Sequence, residues 1–134
     1  MIKRVRAVII QDNRILLIKR VKPGDKYWVA PGGAVDPGES DQQALIRECQ
    51  EELGVNVEVG KLFLQVVSEK PATRGQLEFF YQCQIVSGEV GTGEGPEYQS
   101  DSGYIGSYQP EWVDLDKLLS LELRPRQLKE GLLV

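Results

Sequence analysis

The chain has 134 residues, enough for one ordinary domain with a real hydrophobic core and no need of disulfide or metal staples. Its 41% hydrophobic and 27% charged content is that of an ordinary globular protein, and no stretch approaches the roughly 20 apolar residues that a membrane span requires. With net charge −4, a pI near 4.9 and no basic stripe, it lacks the clustered Lys and Arg that neutralise duplex phosphates, so duplex nucleic acid is not an expected partner.

Met1 to Ile10 carries basic residues but no long apolar run with a cleavage site. It reads as an alternating strand rather than a signal peptide, and a cytoplasmic location is the default expectation. Residues 3–10 form that strand, Gln11-Asp12-Asn13 a turn, and Arg14 to Arg20 a second strand. Pro23-Gly24-Asp25 is a loop, and Tyr27-Trp28-Val29-Ala30 is a short extended piece running into Pro31-Gly32-Gly33, where helix is disfavoured. Ser40 with Gln43 makes a capping box that starts a helix, and Gly54 supplies the left-handed residue that a helix C-terminus favours. Leu45, Cys49 and Leu53 fall at i, i+4 and i+8 and form its buried stripe.

Val55 to Val67 and Gln76 to Val86 return to strand patterns, the second apolar at Leu77, Phe79 and Phe80. Ser87 to Gly106 is rich in glycine and polar residues and reads as a long surface loop or lid. Ile105 to Val113 leads through Trp112 into a short helix, Asp114 to Leu119, and Pro125 opens a final helix ending near Leu133. No repeat or linker divides the sequence, so residues 1–134 are expected to form one α+β domain, with several strands around a central helix. Cys49 and Cys83 match no metal-ligand spacing and sit in apolar patterns, as small buried hydrophobes do.

Chemistry concentrates between Gly33 and Val55, where Glu39, Arg47, Glu48, Glu51 and Glu52 stand beside glycines. On a helix, Glu48, Glu51 and Glu52 lie within about 100 degrees of arc and border the apolar stripe, which puts them at the edge of the core facing a cleft. Like charges at i, i+4 such as Glu48 and Glu52 cost a few tenths of a kcal/mol, so crowding them asks for a reason. One reason is a hard divalent cation, and Gly32-Gly33 would let a backbone carbonyl approach it; the bland alternative is a solvated acidic helix face. Glu39 is positioned to turn back to Arg47 and brace the loop against the helix, which makes both residues mainly structural. The absence of histidine excludes Ser-His-Asp and Cys-His chemistry within this chain.

This run resembles the Nudix box: glycine, five residues, glutamate, seven residues, Arg-Glu-bulky-any-Glu-Glu, any, glycine, bulky. Every defining position is filled, with Cys49 standing where a larger aliphatic residue or alanine is more usual. Trp28-Val29-Ala30-Pro31-Gly32-Gly33 is similar to the family's approach to the box. The resemblance implies an α/β/α sandwich with a mixed β-sheet and the box as loop-helix-loop. It also implies a MutT-like hydrolase of nucleoside diphosphates linked to another moiety.

By the same resemblance Glu51 and Glu52 ligate Mg²⁺ or Mn²⁺, with the Gly33 carbonyl and Glu48 completing the site. Glu48 is the first candidate for orienting or deprotonating the attacking water, since the base must be a carboxylate or the metal's own water. A further carboxylate from the long loop often joins this family's metal site; Glu94, Glu97 and Asp101 are the candidates. Glu97 is chosen because Gly95-Pro96-Glu97 resembles a segment of some relatives, a solvated loop acid being the other reading. Arg20 would reach substrate phosphate or stay on the surface. Tyr27 and Trp28 offer stacking surface for a base, and Trp112 fits core or interface.

The substrate stays open among nucleoside triphosphates, oxidised or not, ADP-ribose and nucleotide sugars. Pro71 lies one position late for the proline of ADP-ribose-cleaving members. Homodimers are common in the family, and nothing in this sequence forces one. The competing reading is a Nudix-like module that senses a nucleotide without cleaving it, and such a module would be expected to have lost box carboxylates. A third is a structural domain with an acidic helix.

Overall fold

A computed structural model describes residues 2–98 and 106–133. Eight strands and two helices follow in the order β1 (Lys3–Gln11), β2 (Arg14–Lys22), β3 (Asp25–Val29), β4 (Gly32–Ala34), α1 (Asp41–Leu53), β5 (Val55–Val67), β6 (Leu77–Gly88), β7 (Ser107–Asp114), β8 (Leu123–Arg124) and α2 (Arg126–Leu132). Short 3-10 turns at Pro71–Thr73, Pro96–Tyr98 and Leu115–Ser120 complete the elements of the described residues. The strands form one curled mixed sheet in the order β5-β6-β1-β2-β3-β8, with β4 added against β1 and β7 against β2. β1 runs parallel to β6 and β3 parallel to β8, while the other pairs are antiparallel. No helix among the described residues is long and apolar enough to cross a membrane.

Strand alternation sorts the core onto two faces. Val5, Ala7 and Ile9 of β1 and Leu16 and Ile18 of β2 pack with Ala44, Leu45, Cys49 and Leu53 of α1. Val8, Ile15, Leu17, Phe80 and Val66 face the opposite way, toward Leu118 of the last 3-10 turn and Leu128 of α2. Helices therefore cover both faces of the sheet, as the α+β and sandwich expectations require. Cys49 and Cys83 are buried free thiols inside the first of these clusters.

The turn between β1 and β2 has both Asp12 and Asn13 at positive φ, 51° and 62°, the tight two-residue hairpin that this residue pair tolerates. β1 and β2 pair at this turn through Ile10↔Ile15 and Gln11↔Arg14. Toward its other end β1 pairs with β4 on one side and β6 on the other, while β2 goes with β3 and β7. The wedge opened between the two halves of the sheet is where the box carboxylates lie.

α1 begins and ends as its sequence predicts. The Ser40 hydroxyl accepts from the Gln43 amide at 3.1 Å and the Gln43 side chain accepts from the Ser40 amide at 2.9 Å. Gly54 caps the far end at φ 77°. Ser40→Ala removes one acceptor from an exposed helix end and is expected to cost about 0.5–2 kcal/mol, read as a lower urea midpoint with an unchanged m-value.

Candidate active site

The loop before α1 is tied to the helix by Arg47. Its guanidinium donates to Glu39 through Nε (2.8 Å) and Nη2 (3.0 Å) and to the Ala34 carbonyl (3.1 Å). It also donates to Glu48 (2.9 Å) and Glu51 (3.2 Å) and lies 3.4 Å from Asp36. The bracing expected of Glu39 and Arg47 is therefore present, with Arg47 also acting as counter-charge to two helix carboxylates.

The Arg47 hydrogen bond, helped by the Asp36 amide, holds the Glu39 carboxyl at about 2. A carboxyl depressed in this way stabilises the fold above its ordinary value near 4.5 and loses that contribution as pH falls through its folded value. Glu39→Gln is expected to lower the urea midpoint at pH 7, and the gap to wild type is expected to narrow as the measurement moves toward pH 3.

Glu52, on the next turn from Glu48, is 7% exposed and accepts the Gly32 amide at 2.7 Å. Burial pushes its carboxyl up to about 8, against the pull of Arg6 and of that amide. Burial likewise raises Glu48, opposed by Arg47, and raises Glu97, whose Oε1 is buried without a hydrogen-bond partner among the described residues. Gly33 lets Glu48 come this close: a Cβ there would stand 2.6 Å from the Glu48 carboxyl carbon. Gly95 does the same above, where a Cβ would meet Glu97 Oε1 at 2.3 Å and Glu51 Cβ at 2.8 Å.

Of the segment expected to be a loop from Ser87 to Gly106, Ser87 and Gly88 are strand, and residues 91–98 dock on the end of α1. The Gly91 amide donates to Leu53, the Gly95 amide to Glu51 and the Tyr98 hydroxyl to Glu52, all to carbonyl oxygens. This docking carries Glu97 to the helix carboxylates. Glu94 is exposed and is not among the residues lining the cleft. Asp101 lies outside the described residues.

A cleft of ≈ 460 Å³ opens at the wedge, and Glu48, Glu52, Glu97, Gly33, Arg20 and Tyr27 line it. Glu51 does not line it but sits at its edge under Arg47. Arg20 is 8% exposed, donates to the Ser107 carbonyl at 3.1 Å and stacks 3.6 Å from the Tyr108 ring centre. Tyr27 has the Arg124 guanidinium 4.1 Å from its ring centre, so a cation occupies one approach to that ring.

Trp28 requires a correction. It packs with Val8, Leu17, Phe80 and Leu123 in the second core cluster and does not line the cleft, because neighbouring strand residues point to opposite faces. Trp112 packs as a partly buried residue against the first cluster. Arg4, Arg6, Lys70 and Tyr108, which no motif in the sequence marks, also line the cleft. Arg4 and Arg6 come from β1, Lys70 from the turn after β5 and Tyr108 from β7, which the β2–β7 register sets opposite Arg20.

The NUDIX domain model matches residues 1–131. The chain belongs to the Nudix hydrolase family. Over 63 residues it is 46% identical to the CTP pyrophosphohydrolase of Escherichia coli, covering 46% of this chain and 47% of that protein. Over 92 residues it is 34% identical to the ADP-ribose pyrophosphatase of Methanocaldococcus jannaschii, covering 67% and 54% respectively. The chain spans about half the length of these curated relatives. Its fold superposes on a MutT NUDIX hydrolase from Burkholderia pseudomallei with TM-score 0.67 at 31% identity, covering 85% of this chain and 83% of that one.

Hydrolases of this family generally use divalent metal ions. Here the donors near the cleft are hard carboxylate and carbonyl oxygens, the Glu97 Oε1 has no partner among the described residues, and Gly33 leaves the approach clear. That donor set suits Mg²⁺ or Mn²⁺. Among the described residues, no three acidic or cysteine side chains already stand as a closed ligand cluster. Arg47 holds Glu48 and Glu51, and the Gly32 amide holds Glu52, so an ion would have to compete with those contacts.

Proposed function

We propose that the chain is a divalent-metal-dependent nucleotide pyrophosphohydrolase, cleaving a nucleoside diphosphate linked to another moiety. The observation that carries this reading is the complete box. Glu48 and Glu52 line one cleft with Glu97, a half-buried acid whose Oε1 is itself buried and has no hydrogen-bond partner among the described residues. A structural acidic helix would expose its carboxylates, whereas Glu52 is buried.

Glu48, Glu51, Glu52 and Glu97, with the Gly33 carbonyl, would hold Mg²⁺ or Mn²⁺. The ion would neutralise the diphosphate and acidify the attacking water. Glu48, pressed against Gly33, is the group placed to orient that water or take its proton. Arg20, fixed by Ser107 and Tyr108, would bind a phosphate oxygen as a preset guanidinium. Arg47 and Glu39 keep the loop and helix in register.

A panel of nucleoside triphosphates, oxidised triphosphates, ADP-ribose, nucleotide sugars and dinucleoside polyphosphates, each incubated with the folded protein and Mg²⁺, tests this. At least one member is expected to be cleaved at a phosphoanhydride, with the rate falling to background on chelation. Nucleotide binding without cleavage of any member would favour the sensing module instead.

A further inference from the structure

Beside the carboxylate cleft lies a second recess of ≈ 310 Å³ with the opposite charge. It shares Arg4, Arg6, Tyr27 and Lys70 with the first, so the two are continuous, and it adds Lys22. The acid lining it, Glu78, is engaged by Arg6 at 3.1 Å. Arg4 donates to the neutral Gln76 side chain, and Lys22 lies 5.5 Å from the Tyr27 ring centre. In a protein of net charge −4, three cations meet here without a carboxylate bonded to any of them among the described residues.

Lys70 is the most telling of them. It lines both recesses, and its ammonium makes no hydrogen bond or ion pair among the described residues. The residue is exposed by its surface area, yet partial desolvation lowers the ammonium's pKa, against the pull of Glu78. Its backbone is held firmly. Thr73 N–H donates to the Lys70 carbonyl (3.1 Å), Gly75 N–H to Ser68 (3.0 Å) and Ser68 N–H to Gln76 (2.9 Å). The Ser68 and Thr73 hydroxyls are 2.6 Å apart. The ordered turn spares the backbone's share of the entropy cost of binding an anion, and only the side chain remains to be fixed.

We infer that this basic recess, with Lys70 at its junction with the cleft, receives an anionic group of the substrate beyond the diphosphate held at the carboxylates. The inference rests on the pyrophosphohydrolase reading and narrows it to substrates whose linked moiety carries its own negative charge. A nucleoside triphosphate qualifies, and a nucleotide sugar whose linked sugar is uncharged does not. Lys70, Arg4 and Lys22 would supply charge-assisted hydrogen bonds to that group, and Lys70 would set the preference.

Two measurements test it. Inorganic tripolyphosphate titrated calorimetrically in excess EDTA is expected to bind wild type and Lys61→Ala alike. Binding is expected to fall at least about tenfold in Lys70→Ala and to recover in Lys70→Arg. Lys61→Ala removes an exposed charge of the same sign away from both recesses. With Mg²⁺, Lys70→Ala is expected to raise KM for a nucleoside triphosphate about tenfold at nearly unchanged kcat, without raising it for a nucleotide sugar.

Equal tripolyphosphate binding by wild type and Lys70→Ala would overturn the inference. So would an unchanged KM for the triphosphate, or an equal rise in KM for both substrates. If no nucleotide is cleaved, the catalytic reading falls, and the EDTA titration still decides whether the recess binds an anion.

Discussion

Glu52→Gln is expected to lower kcat/KM on the cleaved nucleotide by on the order of 10²–10⁴-fold, the range for losing a group that acts at the reacting atoms. The substitution isolates charge from shape. A glutamine carbonyl can still accept the Gly32 amide that Glu52 accepts at 2.7 Å, so the contact between the glycine loop and α1 survives. The wild-type carboxyl is raised to about 8 in the metal-free protein, so a neutral side chain of the same volume is well tolerated there. Thermal unfolding in EDTA should therefore differ little between variant and wild type, while the stabilisation that Mg²⁺ gives wild type should shrink in the variant. Full activity in Glu52→Gln would mean that the buried carboxylate serves packing alone.

Gly32→Ala is expected to be the most damaging single methyl group in the site. Gly32 has φ +146°, where a side chain is strained, and a Cβ would stand 2.0 Å from the Val5 carbonyl oxygen and 2.8 Å from Arg6 Cα. Both contacts are with the backbone of β1, which is pinned by β6 on its far side and cannot retreat. Relief requires β4 to leave β1, taking with it the Gly32 amide bond to Glu52 and the Gly32 carbonyl's bond from Arg6. A loss of about 3 kcal/mol or more in urea unfolding is expected, together with loss of turnover. Gly38→Ala is the control: Gly38 also has positive φ, +85°, but nothing lies within 4 Å of an added Cβ. It should cost less and leave activity largely intact.

What the sequence could tell follows from how local each feature is. α1 was legible at both ends because the capping box and the C-terminal glycine are local hydrogen-bond devices, and its buried stripe is a simple period. β5 runs Val55–Val67, matching the strand read from its pattern. β4 and β8 were not legible: they have 3 and 2 residues, and they exist through partners far away in sequence, Val5↔Gly33 and Trp28↔Leu123. Tyr27 and Trp28 looked alike as aromatic surface, but only the register of β3 against β2 says which of them faces the cleft.

The box carboxylates were legible because they sit on one helix. Their differences were not, since the burial of Glu52 and the unpartnered Glu97 oxygen depend on the docked segment around Gly95. The basic recess was hidden for the same reason. Arg4, Lys22 and Lys70 come from β1, β2 and the turn after β5, and no spacing rule connects them.

The most direct measurement of the central claim is hydrolysis in ¹⁸O-labelled water, with and without Mg²⁺, of the panel member that is cleaved fastest. Phosphate products would be resolved by mass. The account predicts one ¹⁸O atom in one of the two phosphate-bearing products when Mg²⁺ is present, and no product when it is chelated. Label appearing at the same rate in the presence of chelator, or no phosphoanhydride cleavage of any nucleotide by the folded, Mg²⁺-supplied protein, would contradict it.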